Sequence, residues 1–527
     1  MGKRGIRWMG AIFVLVILMA ICALRWGGAE APPWLTSQPT GIGRPERHAL
    51  LGSLGLAAAS TALALLLAFP VGLRAGKSRS RLLLAAAVLP LLIPPQVAAY
   101  VWRFLLQDLA SRAGAGDAWA QSPACSFIGG AWTLAAIYWP VICLPIAASM
   151  RLTGNRLEQE LAVAAPPRTV FWRAVVPGLA PGVAAGAGVF FLLALSNYGV
   201  PLMWDIPSRN IAVFAQLTAS LDPKAVFLLA LPLQAAAVVL CCAGVIWLGR
   251  KSYAADRTQA EVPPATSAGA DFGALGLLTC LVLTLTVAAP IAALLMGRDL
   301  SEMLKPDLIA GSEPFGWGVA IAAIGATGAV AAGLALTQFI PLRARGWTTA
   351  VEIVGLLALL SPAAMICAAL AAGLDRSSWA AVIHSSLWIF LLAYGVRFFY
   401  IPWKILHAAR RLESPEHGEV ARLAGLGFLR RAWLSIAGTL RSALCVSWLL
   451  IFALAFGEQE ISSFFAQPGR QPLSVFMDNL MHHGRSSAAA KWSLIAIVTN
   501  LAVAVIVARV GARRWLERRP AELKMRL

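Results

Sequence analysis

Four polar residues stand at the ends of apolar blocks, where polar side chains are costly. Asn197 and Tyr198 follow one block, Glu458 and Glu460 follow another, and Glu458 lies 261 residues after Asn197. Ionisable residues inside a bilayer are rare and commonly mark the path of a solute. We predict that these four residues line such a path, in which two carboxylates would suit a cationic solute. The alternative is that they lie at the outer ends of spans, where water solvates them.

The sequence offers little support for other chemistry. Gly76-Lys77-Ser78 resembles the end of a phosphate-binding loop, but Val71 stands where that loop requires glycine. The eight cysteines include no C-x-x-C pair, so neither a zinc site nor a disulfide framework is indicated. His482 and His483 are adjacent and lack an accompanying carboxylate triad. We therefore expect no catalytic residue, no metal site and no cofactor bound by this chain.

The composition indicates that these residues are positioned by membrane-spanning helices. The chain has 527 residues, of which 59% are hydrophobic and 13% are charged, whereas soluble domains carry about 25% charged residues. Apolar blocks recur that are long enough to cross a bilayer core of roughly 30 Å as helices. The expected fold is an all-α polytopic membrane protein with about twelve transmembrane helices. The blocks cover approximately residues 8–26, 49–73, 82–106, 127–149, 181–204, 225–249, 272–296, 316–341, 349–374, 381–403, 441–465 and 488–509.

The distribution of charge predicts the orientation of these spans. The net charge is +19. If the N-terminus is cytoplasmic and the spans alternate in direction, Lys and Arg concentrate on the cytoplasmic side, which is the pattern typical of membrane proteins. We therefore expect a multi-pass protein of the cell inner membrane with both termini cytoplasmic, and no nucleic-acid partner. The first block could instead be a cleaved secretory signal. Arg397 lies near the cytoplasmic end of its span, and we expect it to snorkel to the interface.

A polar, proline-containing linker divides the blocks into two sets of six. It covers residues 250–271, between a first half (1–249) and a second half (272–527). An even number of spans gives both halves the same orientation, so we expect two parallel six-helix repeats about an axis along the membrane normal.

Each half has one long segment on the expected cytoplasmic side, between its fourth and fifth spans. In the first half, Glu158 is followed by Ala164 six positions later and by Pro177 nineteen positions later, with Arg173 between them. Acidic residues near the start of a short helix are favoured by the helix dipole. A short charged helix in this place could pass force to the spans.

The second half repeats the spacing. Glu419 is followed by Gly425 six positions later and by Gly438 nineteen positions later. Arg422 lies between Glu419 and Gly425. Ser414 is a possible N-cap, and Gly425 allows a turn at the end of the short helix.

These two segments resemble the EAA loops of permeases in binding-protein-dependent ABC importers. The first departs from the family pattern, which has Ala-Ala where this chain has Gln159-Glu160 and glycine where it has Ala164; the second has Gly438 where proline is usual. The stretch from Pro90 to Pro95, and Ser361-Pro362 in the second half, are similar to the family's third helix.

The resemblance implies a fused two-half permease with several partners. Each loop would dock in one of two copies of a cytoplasmic ABC ATPase, which uses the ATP, and a periplasmic or extracellular binding protein would deliver the substrate. Arginines of the loops could also pair with membrane lipid phosphates. The stretch from Gly457 to Ser462, followed by Pro468-Gly469, is most similar to the iron(III) permease group, with thiamine permeases close by.

Iron(III) is accordingly the expected substrate. The alternatives are a thiamine, polyamine or oxyanion importer permease, a secondary transporter driven by an ion gradient, and a membrane-bound enzyme acting on a lipid-linked substrate. The few acids deep in the spans disfavour the secondary transporter.

We predict that Glu419→Lys abolishes transport while leaving the protein in the membrane, because the charge reversal disrupts docking of the ATPase. Substrate uptake and the amount of protein in isolated membranes are the two measurements. Normal import by this variant would show that the loop has no coupling role.

Overall fold

The computed structural model describes most of the chain, and every element within the described part is helical. The described residues are 44–78, 80–112, 114, 122–151, 166–220, 222–255, 273–295, 308–340, 345–374, 382–383, 386–411, 423–483 and 486–524. The expected first span, 8–26, and nearly all of the linker lie outside them.

Leucine- and alanine-rich segments form the helices of the first part of the chain. The helices are α1 (Arg44–Lys77), α2 (Arg81–Val88), α3 (Pro95–Arg112), α4 (Pro123–Ser149), α5 (Pro167–Val170), α6 (Val176–Leu195), α7 (Gly199–Met203), α8 (Arg209–Ser220), α9 (Pro223–Ala255), α10 (Ala274–Leu283) and α11 (Ala289–Leu295). A 3₁₀ turn at Leu89–Leu92 follows α2, and π-helical turns at Phe171–Val175 and Thr284–Ala288 precede α6 and α11.

The rest of the chain has the same character. The helices are α12 (Leu308–Phe339), α13 (Arg345–Leu360), α14 (Ala363–Leu374), α15 (Trp388–Phe398), α16 (Tyr400–Arg411), α17 (Phe428–Ser435), α18 (Arg441–Phe456), α19 (Glu460–Phe465), α20 (Leu473–His482) and α21 (Ser486–Lys524). A π-helical turn at Ile436–Leu440 joins α17 to α18.

The apolar helices confirm a polytopic all-α membrane protein. Within the described residues, seven single helices are long and apolar enough to cross a membrane, and three bent pairs bring the number to ten. Arg441–Phe456 is apolar but shorter, and it corresponds to part of the predicted block 441–465.

Two of the bent pairs occur at the third predicted span of each half. Helices α2 and α3 bend by 85° across the break before Pro95, and α13 and α14 bend by 100° across the break at Ser361 and Pro362. Proline has no N–H to donate and disfavours helical backbone in the residue before it. Each third span is therefore interrupted, and a new helix N-terminus lies part-way along it.

The chain forms two compact units, Met1–Arg298 and Asp299–Leu527. In the first unit, α1 packs along α4 and α6, and α10 packs on α1. In the second, α12 packs against α15, α16 and α18. The unit boundary lies beyond the predicted linker, because the helical segment that opens the predicted second half packs on the first unit. The repeat boundary at 250–271 stays a prediction about the sequence.

Close helix contacts in the first unit depend on small residues, as is typical of helices packed in lipid. A Cβ atom added at Gly186 of α6 would lie 2.8 Å from the Cα of Ile142 in α4. Gly188, two residues further along α6, has nothing within 4 Å of such an atom. These two glycines therefore form a matched pair, one at the contact and one in open space.

We predict that Gly186→Ala destabilises the protein by about 1–3 kcal/mol, because the new methyl group forces α4 and α6 apart. Gly188→Ala is the control and should leave the unfolding temperature unchanged or slightly raised. The measurement is thermal unfolding of the purified protein in detergent. Equal unfolding temperatures for the two variants would contradict the close α4–α6 contact.

Candidate functional site

Side chains form hydrogen bonds with backbone N–H and carbonyl groups where the fifth span of the first half ends. The Oδ1 atom of Asn197 accepts a hydrogen bond from the backbone N–H of Val200 at 2.9 Å. The side-chain amide of Asn210 donates to the carbonyl oxygens of Leu195 at 2.7 Å and of Asn197 at 3.1 Å. Asn197 therefore caps the short helix α7. The Asn210 amide donates to carbonyl groups at the end of α6, where carbonyls have no intrahelical donor.

The second half has the same cap at the equivalent position. The carboxylate of Glu458 accepts hydrogen bonds from the backbone N–H groups of Glu460 at 3.1 Å, Ile461 at 2.9 Å and Ser462 at 3.4 Å. Ile461 lies 261 residues after Val200, the same interval that separates Glu458 from Asn197. Both residues thus hold the start of a short helix, α7 in one half and α19 in the other.

Glu458 also belongs to a buried polar cluster. The hydroxyl of Tyr394 on α15 donates to its carboxylate at 3.2 Å and lies 2.9 Å from the hydroxyl of Ser462. Arg397, also on α15, places its Nη1 atom 3.7 Å from the Glu458 carboxylate. The side chains of Arg397 and Glu458 are 11% and 8% exposed. The prediction that Arg397 snorkels to the interface is wrong, because its guanidinium points to a buried carboxylate instead.

Glu460 connects two helices of the second half. Its side chain is buried, and its carboxylate accepts a hydrogen bond from the backbone N–H of Ala364 at 3.3 Å. Ala364 is the second residue of α14, whose N-terminal N–H groups have no intrahelical acceptor. The carboxylate is therefore stabilised by the positive end of a helix.

These contacts change the interpretation of the two glutamates. Both carboxylates are buried and hydrogen-bonded, which contradicts the alternative that water solvates them at an outer end. They are also occupied by backbone N–H groups, a tyrosine and an arginine, so they are not free ligands for a cation. Within the described residues, no group of three or more His, Cys, Asp or Glu side chains could hold a metal ion.

The remaining predicted pathway residue, Tyr198, is half-buried and packs on Phe214, with 4.9 Å between ring centroids. An ion pair that the sequence did not reveal lies nearby. Arg103 of α3 contacts Asp205 at 2.8 Å and donates to the carbonyl oxygen of Met203, and so ties α3 to the end of α7. The roles of Asn197, Tyr198, Glu458 and Glu460 in a pathway stay predictions.

Only part of the two predicted coupling segments is described. Glu158, Ala164, Glu419 and Arg422 lie outside the described residues. Gly425 has φ +71°, a left-handed conformation that favours glycine, which confirms the predicted turn there.

The described coupling residues lie just before the fifth spans. Arg173 is exposed in the π-helical turn before α6, and Pro177 is the second residue of α6. Gly438, 261 residues after Pro177, lies within the π-helical turn before α18. Trp172 and Trp433, also 261 residues apart, are both exposed, and sequence reasoning had not paired them.

Comparison with known proteins identifies the family. No family profile matches the chain, and no solved structure matches it. The molybdenum transport system permease proteins ModB of Mycobacterium bovis and of Mycobacterium tuberculosis are each 34% identical to it over 243 residues. The matched region is 88% of each relative and 44% of this chain.

The chain belongs to the ABC-importer permease family. Because the same region is 88% of the relative and 44% of this chain, this permease is about twice as long as either ModB protein. The relatives support the predicted binding-protein-dependent permease class. They do not support the narrower iron(III) or thiamine group.

We predict that Glu458→Ala destabilises the permease by about 3–5 kcal/mol, because it leaves the Arg397 guanidinium buried without its carboxylate. The double variant Glu458→Gln with Arg397→Met should recover part of the loss, since no unpaired charge is then buried. Thermal unfolding in detergent is the measurement.

The matched control for that experiment is Glu352→Ala. Glu352 pairs with Lys404, whose side chain is 52% exposed, and exposed ion pairs contribute about 0–1 kcal/mol. If Glu458→Ala unfolds at the same temperature as Glu352→Ala, the buried cluster does not stabilise the second half.

Proposed function

We propose that this permease forms the translocation pathway of an importer for a tetrahedral oxyanion, with molybdate as the first candidate. The observation that carries the proposal is the 34% identity to two molybdenum transport system permease proteins over most of their length. Iron(III), expected from the sequence, has no support from these relatives, and neither has thiamine.

The contacts of the acidic residues remove the argument for a cationic solute. Glu458 and Glu460 were the residues that suggested a cationic solute, but their carboxylates bind Arg397 and backbone N–H groups of the same chain. A buried carboxylate that already has partners gains little by exchanging them for a passing cation. The acidic pair is thus no longer an argument for iron(III).

The partners follow from the family. The chain would act as a transport subunit without catalytic activity, and two copies of a cytoplasmic ATPase would dock on the segments that contain Glu158 and Glu419 and hydrolyse the ATP. A soluble binding protein would deliver the oxyanion from outside. The length of the chain, about twice that of ModB, supports a single copy that supplies both halves of the pathway.

We predict that a bacterial host without molybdate uptake imports ⁹⁹Mo-labelled molybdate when it receives this permease together with its partner ATPase and binding protein. Tungstate, a dianion of the same shape, should compete. Labelled iron(III) and labelled thiamine are the comparison substrates. Import of either of these without import of molybdate would contradict the oxyanion assignment but leave the permease class intact.

A further inference from the structure

The interrupted third span of each half packs against a short helix. In the second half, the start of α14 lies against α19; in the first half, α3 packs against α7. The two short helices begin at Glu460 and Gly199, which are 261 residues apart. Each N-terminus follows the break of a third span and is the start of a helix that packs against one of these short helices, and on that basis we compare the two.

In the second half, this position holds an anionic group from the chain itself. The buried carboxylate of Glu460 accepts the N–H of Ala364, the second residue of α14. Helix N-termini bind carboxylates, phosphates and sulfates in the same way, through free N–H groups and the helix dipole. The start of α14 thus binds a carboxylate of the chain itself.

In the first half, the equivalent carboxylate is missing and a donor is left unpaired. Gly199 stands where the second half has Glu460, and it has no side chain to offer. Gln96, the second residue of α3, is only 2% exposed, and its Nε2 atom has no hydrogen-bond partner within the described residues. A buried donor without an acceptor is costly. An acceptor placed beside the Gln96 amide would therefore stabilise the first turn of α3.

The surrounding charge also differs between the halves. The helix cap is neutral in the first half, where Asn197 replaces Glu458. An anion at the start of α3 would therefore meet neither of the two carboxylates that occupy the equivalent positions in the second half. It would also lie on the helix that carries Arg103, two turns further along.

We propose that the N-terminus of α3, with the side-chain amide of Gln96, binds the transported oxyanion, and that Glu460 is a built-in carboxylate that fills the equivalent place in the second half. This proposal rests on the proposed function and adds the location of a substrate site. The anion would accept hydrogen bonds from the Gln96 amide and from N–H groups of the first turn of α3. The site is asymmetric: one half binds the solute and the other is closed by its own side chain.

The test introduces the carboxylate of the second half into the first. Gly199→Glu and Gly199→Gln add side chains of nearly equal size that differ in charge. Molybdate uptake is measured for both in the complete importer, together with co-purification of the ATPase and the unfolding temperature. We expect Gly199→Glu to abolish uptake and Gly199→Gln to reduce it less, with both variants folded and bound to the ATPase.

A second variant keeps the test informative if additions at Gly199 disturb folding. Gln96→Leu should raise the KM for molybdate roughly tenfold, the scale of one lost hydrogen bond to a charged group. Asp108→Asn, which removes one charge from an exposed ion pair at the far end of α3, is the control and should keep the wild-type KM.

The outcomes separate the site from the function. If wild-type permease imports no oxyanion, the proposed function fails, and the site fails with it. If the wild type imports molybdate but Gly199→Glu matches Gly199→Gln, and Gln96→Leu keeps the wild-type KM, the site is wrong and the function stands.

Discussion

The structure depends on one constraint: the backbone polar groups exposed where a helix breaks must find partners, because lipid offers none. The fifth span of each half ends in such a break, and a side chain caps the short helix that follows. Asn197 does so in the first half and Glu458 in the second, through N–H groups 261 residues apart. The third spans break at prolines, and the helices that start at these breaks pack against the capped helices.

The two halves cap these breaks with side chains of different charge, and this difference bears on function. In the second half the cap is a carboxylate, which requires the buried Arg397 and Tyr394 to compensate it. A second carboxylate, Glu460, fills the N-terminus of α14. In the first half the cap is the neutral amide of Asn197, Gly199 stands in place of Glu460, and the Gln96 amide has no partner within the described residues. The two breaks thus have the same capping geometry but different charges, and we propose that the one in the first half is available to an anion.

Much of the fold could be predicted from sequence because the hydrophobic requirement for crossing a bilayer is strong and local. The apolar blocks marked the spans, and the 261-residue interval identified the positions that cap α7 and α19. The bends at Pro95 and Pro362 were not predicted, although the prolines were noted, because proline in a membrane helix can either kink it or break it. The capping role of Glu458 had a local signal, an acceptor side chain two residues before the start of a short helix.

The site itself could not be predicted, for physical reasons that are specific to the residues involved. Arg397 and Glu458 are 61 residues apart in the sequence, and only the packing of α15 near the end of α18 brings them together. Two acids near the end of a span suggested a cation because their partners could not be seen. Gln96 had no distinguishing signal at all, since its importance lies in a partner that is absent within the described part of the chain.

The most direct measurement is a high-resolution map of the purified permease in a lipid nanodisc with saturating molybdate. We predict one tetrahedral anion within hydrogen-bond distance of Gln96, and the Glu460 carboxylate still bound to the N–H of Ala364. An anion bound beside Ala364 with Glu460 displaced, or a Gln96 amide paired with a protein acceptor and no anion at the start of α3, would contradict it.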